Sequence, residues 1–296
     1  MTDLTIERDV PLAPFTTFGI GGPAGYLVRP KTADELVEAV RWAKAEGHDW
    51  FVLGCGANIL IGDKGFRGVV IKNEADTHKL DGTRLTAESG ITIARLIELT
   101  APQGLSGFEH YVEIPSTLGG AMWQNLHFLS YPHEETKFIA EIVEGATVLS
   151  GQETKSVDKD YFQFGYDTSV LHQNDDVVLD VTMRLTEAPV AEIEERLEKN
   201  AAWRHAKHPP NAAKMSAGSV FQKIEGVGAG RLIDGAGLKG HRIGGAEVSE
   251  KHANYMLNVD GATAADVRKL IDHVQRTVKA ETGYELQPEI SFVGEF

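Results

Sequence analysis

Two short apolar runs, residues 49–53 and 68–72, bracket the loop Gly54-Cys55-Gly56-Ala57-Asn58. Consecutive apolar residues beside glycine read as buried strands, because such a run has no polar face to turn to water. The pair therefore commits the chain to a sheet covered by other elements, with a loop poor in side chains at its tip. Two glycines directly after a strand leave main-chain N–H groups clear of Cβ atoms, which suits a diphosphate. The same residues also spell a tight turn that binds nothing. They are not a G-x-G-x-x-G fingerprint, since no third glycine opens a helix, and this disfavours a Rossmann dinucleotide fold.

Around this feature α and β signals mix. Residues 32–47 place Leu36, Val37, Val40 and Ala43 on one stripe, with Thr32 and Glu35 spaced as a capping box. Residues 85–88 read as a strand, 92–101 as a helix, and 145–149 and 177–185 as strands. A Glu-rich amphipathic helix over 190–206 is polar enough to bridge two domains, so the main boundary is placed there. Beyond it come a Pro-containing loop at 208–213, a Gly/Ser segment, a short helix near 230–236 and a strand at 255–259. A helix over 264–282 follows, with Val267, Leu270, Ile271, Val274 and Val278 on one face, then a strand at 290–293. This tail is an α+β unit large enough for its own core. A length of 296 residues agrees, since it exceeds the usual single-domain size.

A formal charge of -14 argues against a surface for nucleic acid, whose affinity rests on many Lys and Arg contacts to phosphate. A small anionic ligand needs only a few local cations. Cys55 is the sole cysteine, which excludes an intrachain disulfide and a multi-Cys zinc site, and no metal is expected. Residues 1–10 lack an apolar signal region, and no run reaches the roughly 18 apolar residues of a membrane span, so no membrane insertion and a cytoplasmic location are expected.

Three further segments carry chemistry. In Ile114-Pro115-Ser116-Thr117-Leu118-Gly119-Gly120, a Pro-fixed entry, two hydroxyls and a glycine pair offer several donors on one loop, or else a capped helix start. In the segment 214–223, Ser216-Ala217-Gly218-Ser219 precedes a β-like run, so that a serine hydroxyl is either a proton donor on a cleft floor or a turn former. Glu289, after Pro288 and ahead of an apolar terminal strand, is a carboxylate that burial would penalise unless it were paired or used.

Taken in order, these segments resemble the UDP-N-acetylenolpyruvoylglucosamine reductase family. The resemblance begins with Thr16-Thr17-Phe18-Gly19-Ile20-Gly21-Gly22 and the loop at 53–60, and continues through Gly104-Leu105-Ser106-Gly107-Phe108-Glu109 and the 114–125 segment. It goes on with Phe164-Gly165-Tyr166, Ser216-Ala217-Gly218-Ser219, Ala236-Gly237-Leu238-Lys239-Gly240, Val248-Ser249-Glu250-Lys251-His252-Ala253-Asn254 and Pro288-Glu289. Several spaced motifs in a fixed order are far more specific than any one of them. The resemblance implies an α+β fold: an FAD-binding domain of the vanillyl-alcohol-oxidase type at 1–190, in two subdomains split near 75, and an α+β substrate-binding domain at 200–296. It implies an FAD flavoprotein that uses NADPH to reduce the enolpyruvyl ether of a UDP-sugar in peptidoglycan synthesis. Gly54, Cys55, Gly56, Ala57 and Asn58, with Pro115, Ser116, Thr117, Gly119 and Gly120, are implied to hold the FAD. Ser219 matches the family's proton donor and Glu289 a carboxylate that stabilises the enolate-like intermediate, while Tyr166, Lys223, Arg231, Lys239 and Asn254 are implied substrate contacts.

Three departures stand out. Where the family has Tyr-Arg, the arginine neutralising the substrate carboxylate, this chain has Tyr166-Asp167, and another cation, with Arg204, Lys207 or Lys223 as candidates, is expected to serve. Ile-Pro-Gly-Thr is here Ile114-Pro115-Ser116-Thr117, and the Lys-Asn-Pro after the serine is Gln222-Lys223-Ile224. Two other readings remain: a flavin oxidase of a sugar or lactone on the same FAD-binding architecture, and a nucleotide-sugar-binding flavoprotein without activity.

Overall fold

The computed structural model describes residues 4–209 and 215–296. Residues 210–213 of the expected proline loop and Lys214 lie outside the described residues. The chain forms two compact units, one of Met1–Ile6, Leu27–Cys55 and Val69–Arg204, the other of Glu7–Tyr26, Gly56–Gly68 and His205–Phe296. The change near residue 204 falls inside the polar helix, but two N-terminal pieces group with the C-terminal stretch. Their apolar residues explain it: Phe18, Ile20 and Leu60 belong to one core with Val220, Phe221, Val248, Leu270, Val274 and Ile290.

In the first unit, helix α1 (Ala33–Ala45) buries the expected stripe of Leu36, Val37, Val40 and Ala43. The Thr32 side chain caps it by accepting the Glu35 N–H, whereas the Glu35 carboxylate reaches one residue further back, to the N–H of Lys31 at 2.7 Å. Strand Trp50–Leu53 pairs in parallel with Phe66–Lys72, in a register that sets Leu53 opposite Lys72. An antiparallel five-stranded sheet runs in the order Glu153–Asp158, Val143–Ser150, Val177–Arg184, Arg84–Glu88, His78–Asp81. Its inner face shares a core with α2 (Ile93–Thr100) and α3 (Leu118–Gln124) through Leu85, Val181, Leu96, Leu118 and Met122.

Helix α4 (Val190–Lys207) buries only Ile193 and Asn200, and much of its role in this unit is polar. Glu109, 2% exposed, receives the Gly107 N–H, the Ser106 hydroxyl and the Arg196 guanidinium. Burial pushes the Glu109 carboxyl up, but the Gly107 N–H, the nearby His110 and the Ser106 hydroxyl together outweigh it and hold the group below the usual carboxylate range. Asn200 receives the Tyr131 N–H and donates to Ser130.

In the second unit, α5 (Ala229–Gly235) and α6 (Ala264–Thr282) pack beside a three-stranded antiparallel sheet of Arg242–Ile243, Ala246–Val248 and Met256–Asn258. A complete capping box between Thr263 and Asp266 starts α6, and Gly283 in the left-handed region ends it. Val267, Leu270, Ile271, Val274 and Val278 are its buried face. Ser291–Val293 pairs in parallel with Ile59–Ile61, which ties the chain's end to its first glycine loop. No helix among the described residues is long and apolar enough to cross a membrane.

Candidate active site

Within the first unit, Gly54 of the first loop meets Thr117 of the second. A Cβ on Gly54 would stand 2.5 Å from the hydroxyl oxygen of Thr117, which is itself buried and caps α3 by accepting the Gly120 N–H. Gly54 is therefore required by a close approach. Among the described residues, none accepts the backbone N–H of Gly54, Cys55, Ser116 or Thr117. The first loop is held from beneath by Lys72, whose ammonium donates to the Gly54 carbonyl at 2.7 Å. Burial pushes Lys72 down, and the neighbouring Cys55 and Glu74 act against that; burial likewise pushes the Cys55 thiol up, against the pull of Lys72.

The glycine pair at 119–120 behaves differently from an open loop. Thr117 starts α3, so both glycines lie in its first turn, where the Gly119 N–H goes to the Ser89 carbonyl and the Gly120 N–H to Thr117. These glycines contribute room: a Cβ on Gly119 would come within 3.2 Å of Ser89, and one on Gly120 within 3.2 Å of the Ser116 hydroxyl. The donors left over belong to Ser116 and Thr117.

Tyr166 and Asp167 sit on a turn closed by a bridge between Gly165 and Thr168 and pinned by Asn125, whose amide donates to the Gly165 carbonyl at 2.8 Å. Tyr166 is 48% exposed. Asp167 has φ 55°, and its carboxylate lies 3.6 Å from Nδ1 of His127. The His127 ring in turn packs on Tyr166 and Phe138. Of the cations put forward from the sequence, Arg204 lays its guanidinium over the Phe128 ring, 5.3 Å from the centroid; Lys207 and Lys223 are exposed.

In the second unit the main chain around Ser219 is pinned on both sides. Val220 donates to the Asn254 carbonyl and Gln222 to that of Gln287, while Glu289 donates to the carbonyl of Val220 at 2.7 Å. Ser219 and Glu289 thus stand on adjoining strand-like segments, both half-buried. The Asn58 amide reaches the Glu289 carbonyl at 3.5 Å, and Ser291 donates to the Asn58 carbonyl. Gly56, at φ 63°, fits against the Phe15 carbonyl, and no described residue accepts the N–H of Gly56, Ala57 or Asn58.

One expected substrate contact is otherwise engaged. Asn254 is 7% exposed, and its amide is spent on both the N–H and the carbonyl of Phe221, which makes it a clamp on the Ser219 segment. Lys239 pairs with Asp234 at 2.9 Å; Arg231 and Lys223 are exposed. Two residues went unnoticed in the sequence. Lys72 ends an apolar strand, and only the pairing of that strand with Trp50–Leu53 puts its ammonium under Gly54. His127 gains meaning only from a partner forty residues away in sequence. Among the described residues no group of three or more His, Cys, Asp or Glu is placed to hold a metal ion.

Comparison with known proteins finds relatives along almost the whole chain. Residues 24–154 match the family described as FAD binding domain, and residues 209–293 match the C-terminal domain of UDP-N-acetylenolpyruvoylglucosamine reductase. The UDP-N-acetylenolpyruvoylglucosamine reductase of Caldicellulosiruptor saccharolyticus is 40% identical over 99% of this chain and 94% of its own length. That of Streptococcus agalactiae is 37% identical over 99% and 95%. The crystal structure of UDP-N-acetylenolpyruvylglucosamine reductase from Thermus caldophilus superimposes with a TM-score of 0.83 at 31% identity, covering 98% of this chain and all of that one. An FAD-binding domain is thus followed by a reductase C-terminal domain, the α+β order that the sequence implies. Identity at this level along almost the whole length leaves one assignment: the chain belongs to the UDP-N-acetylenolpyruvoylglucosamine reductase family.

Proposed function

We propose that this chain reduces the enolpyruvyl ether of UDP-N-acetylenolpyruvoylglucosamine to give UDP-N-acetylmuramate for peptidoglycan, with FAD as cofactor and NADPH as reductant. The domain at 1–190 serves the FAD and that at 200–296 the substrate. The residues present fit an FAD: the unspent N–H groups of Gly54, Cys55, Ser116 and Thr117 are donors for a diphosphate, and the loop continues through Gly56, Ala57 and Asn58 with three more. Pro115 fixes the approach to the second loop, while Gly119 and Gly120 keep it free of bulk. Lys72 adds a cation beneath the first loop.

When bound and reduced by NADPH, the flavin supplies a hydride to the methylene carbon of the enol ether. The neighbouring carbon then carries the electron pair of the former double bond and needs a proton. Ser219 donates it from its hydroxyl, and Glu289 stabilises the enolate-like stage through a hydrogen bond or proton relay. The observation that carries this reading is the bond from the Glu289 N–H to the Val220 carbonyl, which holds the two side chains on adjoining segments. Asn254 acts by holding Phe221. Tyr166, Lys223, Arg231 and Lys239 serve the substrate's anionic parts. The reaction is cytoplasmic, involves no nucleic acid and needs no membrane insertion.

The purified protein should be yellow, with a flavin band, and should oxidise NADPH steadily only when the enolpyruvyl UDP-sugar is present. A colourless protein that takes up no FAD, or NADPH oxidation indifferent to the sugar, overturns the reading.

A further inference from the structure

We infer that Lys72 is a positioning residue for FAD: by holding the Gly54 carbonyl, it aims the Cys55 N–H at the diphosphate. This inference rests on the FAD-binding part of the function proposed above, and it assigns to Lys72 a role exerted through the main chain. Gly54, Cys55, Lys72, Ser116 and Thr117 all lie in the first unit. The parallel pairing of Trp50–Leu53 with Phe66–Lys72 ends on a bond from the Asn73 N–H to the Leu53 carbonyl at 3.1 Å. One rung further, the Cys55 N–H would go to the Asn73 carbonyl, but among the described residues nothing accepts it. The Asn73 side chain is turned to Ser89 and to the Ala75 N–H, and the ladder stops. A side chain takes over there, since the Lys72 ammonium donates to the Gly54 carbonyl at 2.7 Å.

A peptide group is planar, and the Gly54–Cys55 bond is trans, so its C=O and N–H point in opposite directions. A carbonyl pinned to Lys72 therefore leaves the N–H pointing away from Lys72. Gly54 is bounded by the Thr117 hydroxyl as well, which stands 2.5 Å from where a Cβ would be, so the peptide has little room to turn. Were it to flip, an oxygen would face the anion in place of a donor. The ammonium is half-buried, and no carboxylate among the described residues lies within ion-pair distance of it. Glu74 is engaged by Arg29 at 2.7 Å, and burial pushes the Cys55 thiol up, so that it stays neutral. A bound anion supplies the balancing charge that the fold itself does not.

The holoenzyme offers two readouts: release of FAD on dilution, followed by the rise in flavin fluorescence, and amide hydrogen exchange at single residues under excess FAD. Lys72→Met and the polar, shorter Lys72→Gln should each release FAD about tenfold to a hundredfold faster, the worth of a hydrogen bond from a charged group. Lys72→Arg, which keeps a charged donor, should stay within about fivefold of wild type. Held saturated with FAD, the Met and Gln variants should lose amide protection at Cys55 while Ser116 and Thr117 keep theirs. Equal loss at all three would make Lys72 a diffuse charge or a structural prop, and unchanged release would leave it no part in holding FAD; either result overturns the assignment. A yellow wild type whose Cys55 amide exchanges freely overturns this inference alone. A wild type that takes up no FAD overturns the proposed function with it.

Discussion

The glycine loops of the first unit and the serine segment of the second solve opposite problems. Around Gly54, Cys55, Ser116 and Thr117 the main chain is left with donors that no described residue accepts. From Val220 to Gln222 every main-chain N–H is spent, on Asn254 and Gln287. The first arrangement presents backbone and uses side chains only to shape it. The second fixes the backbone so that side chains, Ser219 and Glu289, are what it presents. Substitutions should therefore act on chemistry in the second region and on fit in the first.

The largest effect should follow Ser219→Ala. Loss of a positioned proton donor costs about 10²- to 10⁴-fold in turnover of the enolpyruvyl sugar. Bleaching of the flavin by NADPH in a stopped-flow experiment should keep its wild-type rate, since no proton from serine is needed there. Equal loss in both half-reactions would show that the serine shapes the site and does not serve the chemistry. Next in size is Asn254→Ala, which strands the buried N–H and carbonyl of Phe221, a residue only 1% exposed. The unfolding free energy should fall by about 2–4 kcal/mol, from two unsatisfied groups at roughly 1–2 each. A variant with unchanged stability and a raised KM would make Asn254 a substrate contact instead.

Much of this was legible because it is local. The stripe of α1 and that of α6 are fixed by residues three and four apart, and their Thr caps by a neighbour three residues on. The family resemblance added the order of the motifs. What stayed hidden depends on pairings between distant segments, about which periodicity is silent. Ile59–Ile61 lies beside Ser291–Val293, so the strand after the first glycine loop joins the C-terminal unit. Lys72 reaches Gly54 only because its strand runs parallel to Trp50–Leu53 in one particular register. For Gly119 and Gly120 the sequence allows a donor-bearing loop or a capped helix start, and the fold takes the second, spending their N–H groups on Ser89 and Thr117. The 3.6 Å approach of Asp167 to His127 likewise joins residues forty apart in sequence.

The smallest of these effects probes the first region most directly. In Gly54→Ala the new methyl would lie 2.5 Å from the Thr117 hydroxyl oxygen, far inside contact distance. Thr117 is buried and its oxygen accepts the Gly120 N–H at 3.2 Å, so it cannot swing away without uncapping α3. Losing such a cap costs about 1–2 kcal/mol. If the loops are shaped to present donors to FAD, that strain should appear as roughly tenfold weaker FAD retention, read from the ratio of flavin to protein absorbance after dialysis. The double variant Gly54→Ala with Thr117→Ala separates fit from chemistry. Thr117→Ala alone removes the cap, but it also removes the atom that the added methyl of Gly54→Ala would strike, so the two changes should be markedly less than additive. Strict additivity would mean that the two loops do not share a cofactor through this contact, and that the contrast with the serine segment is drawn in the wrong place.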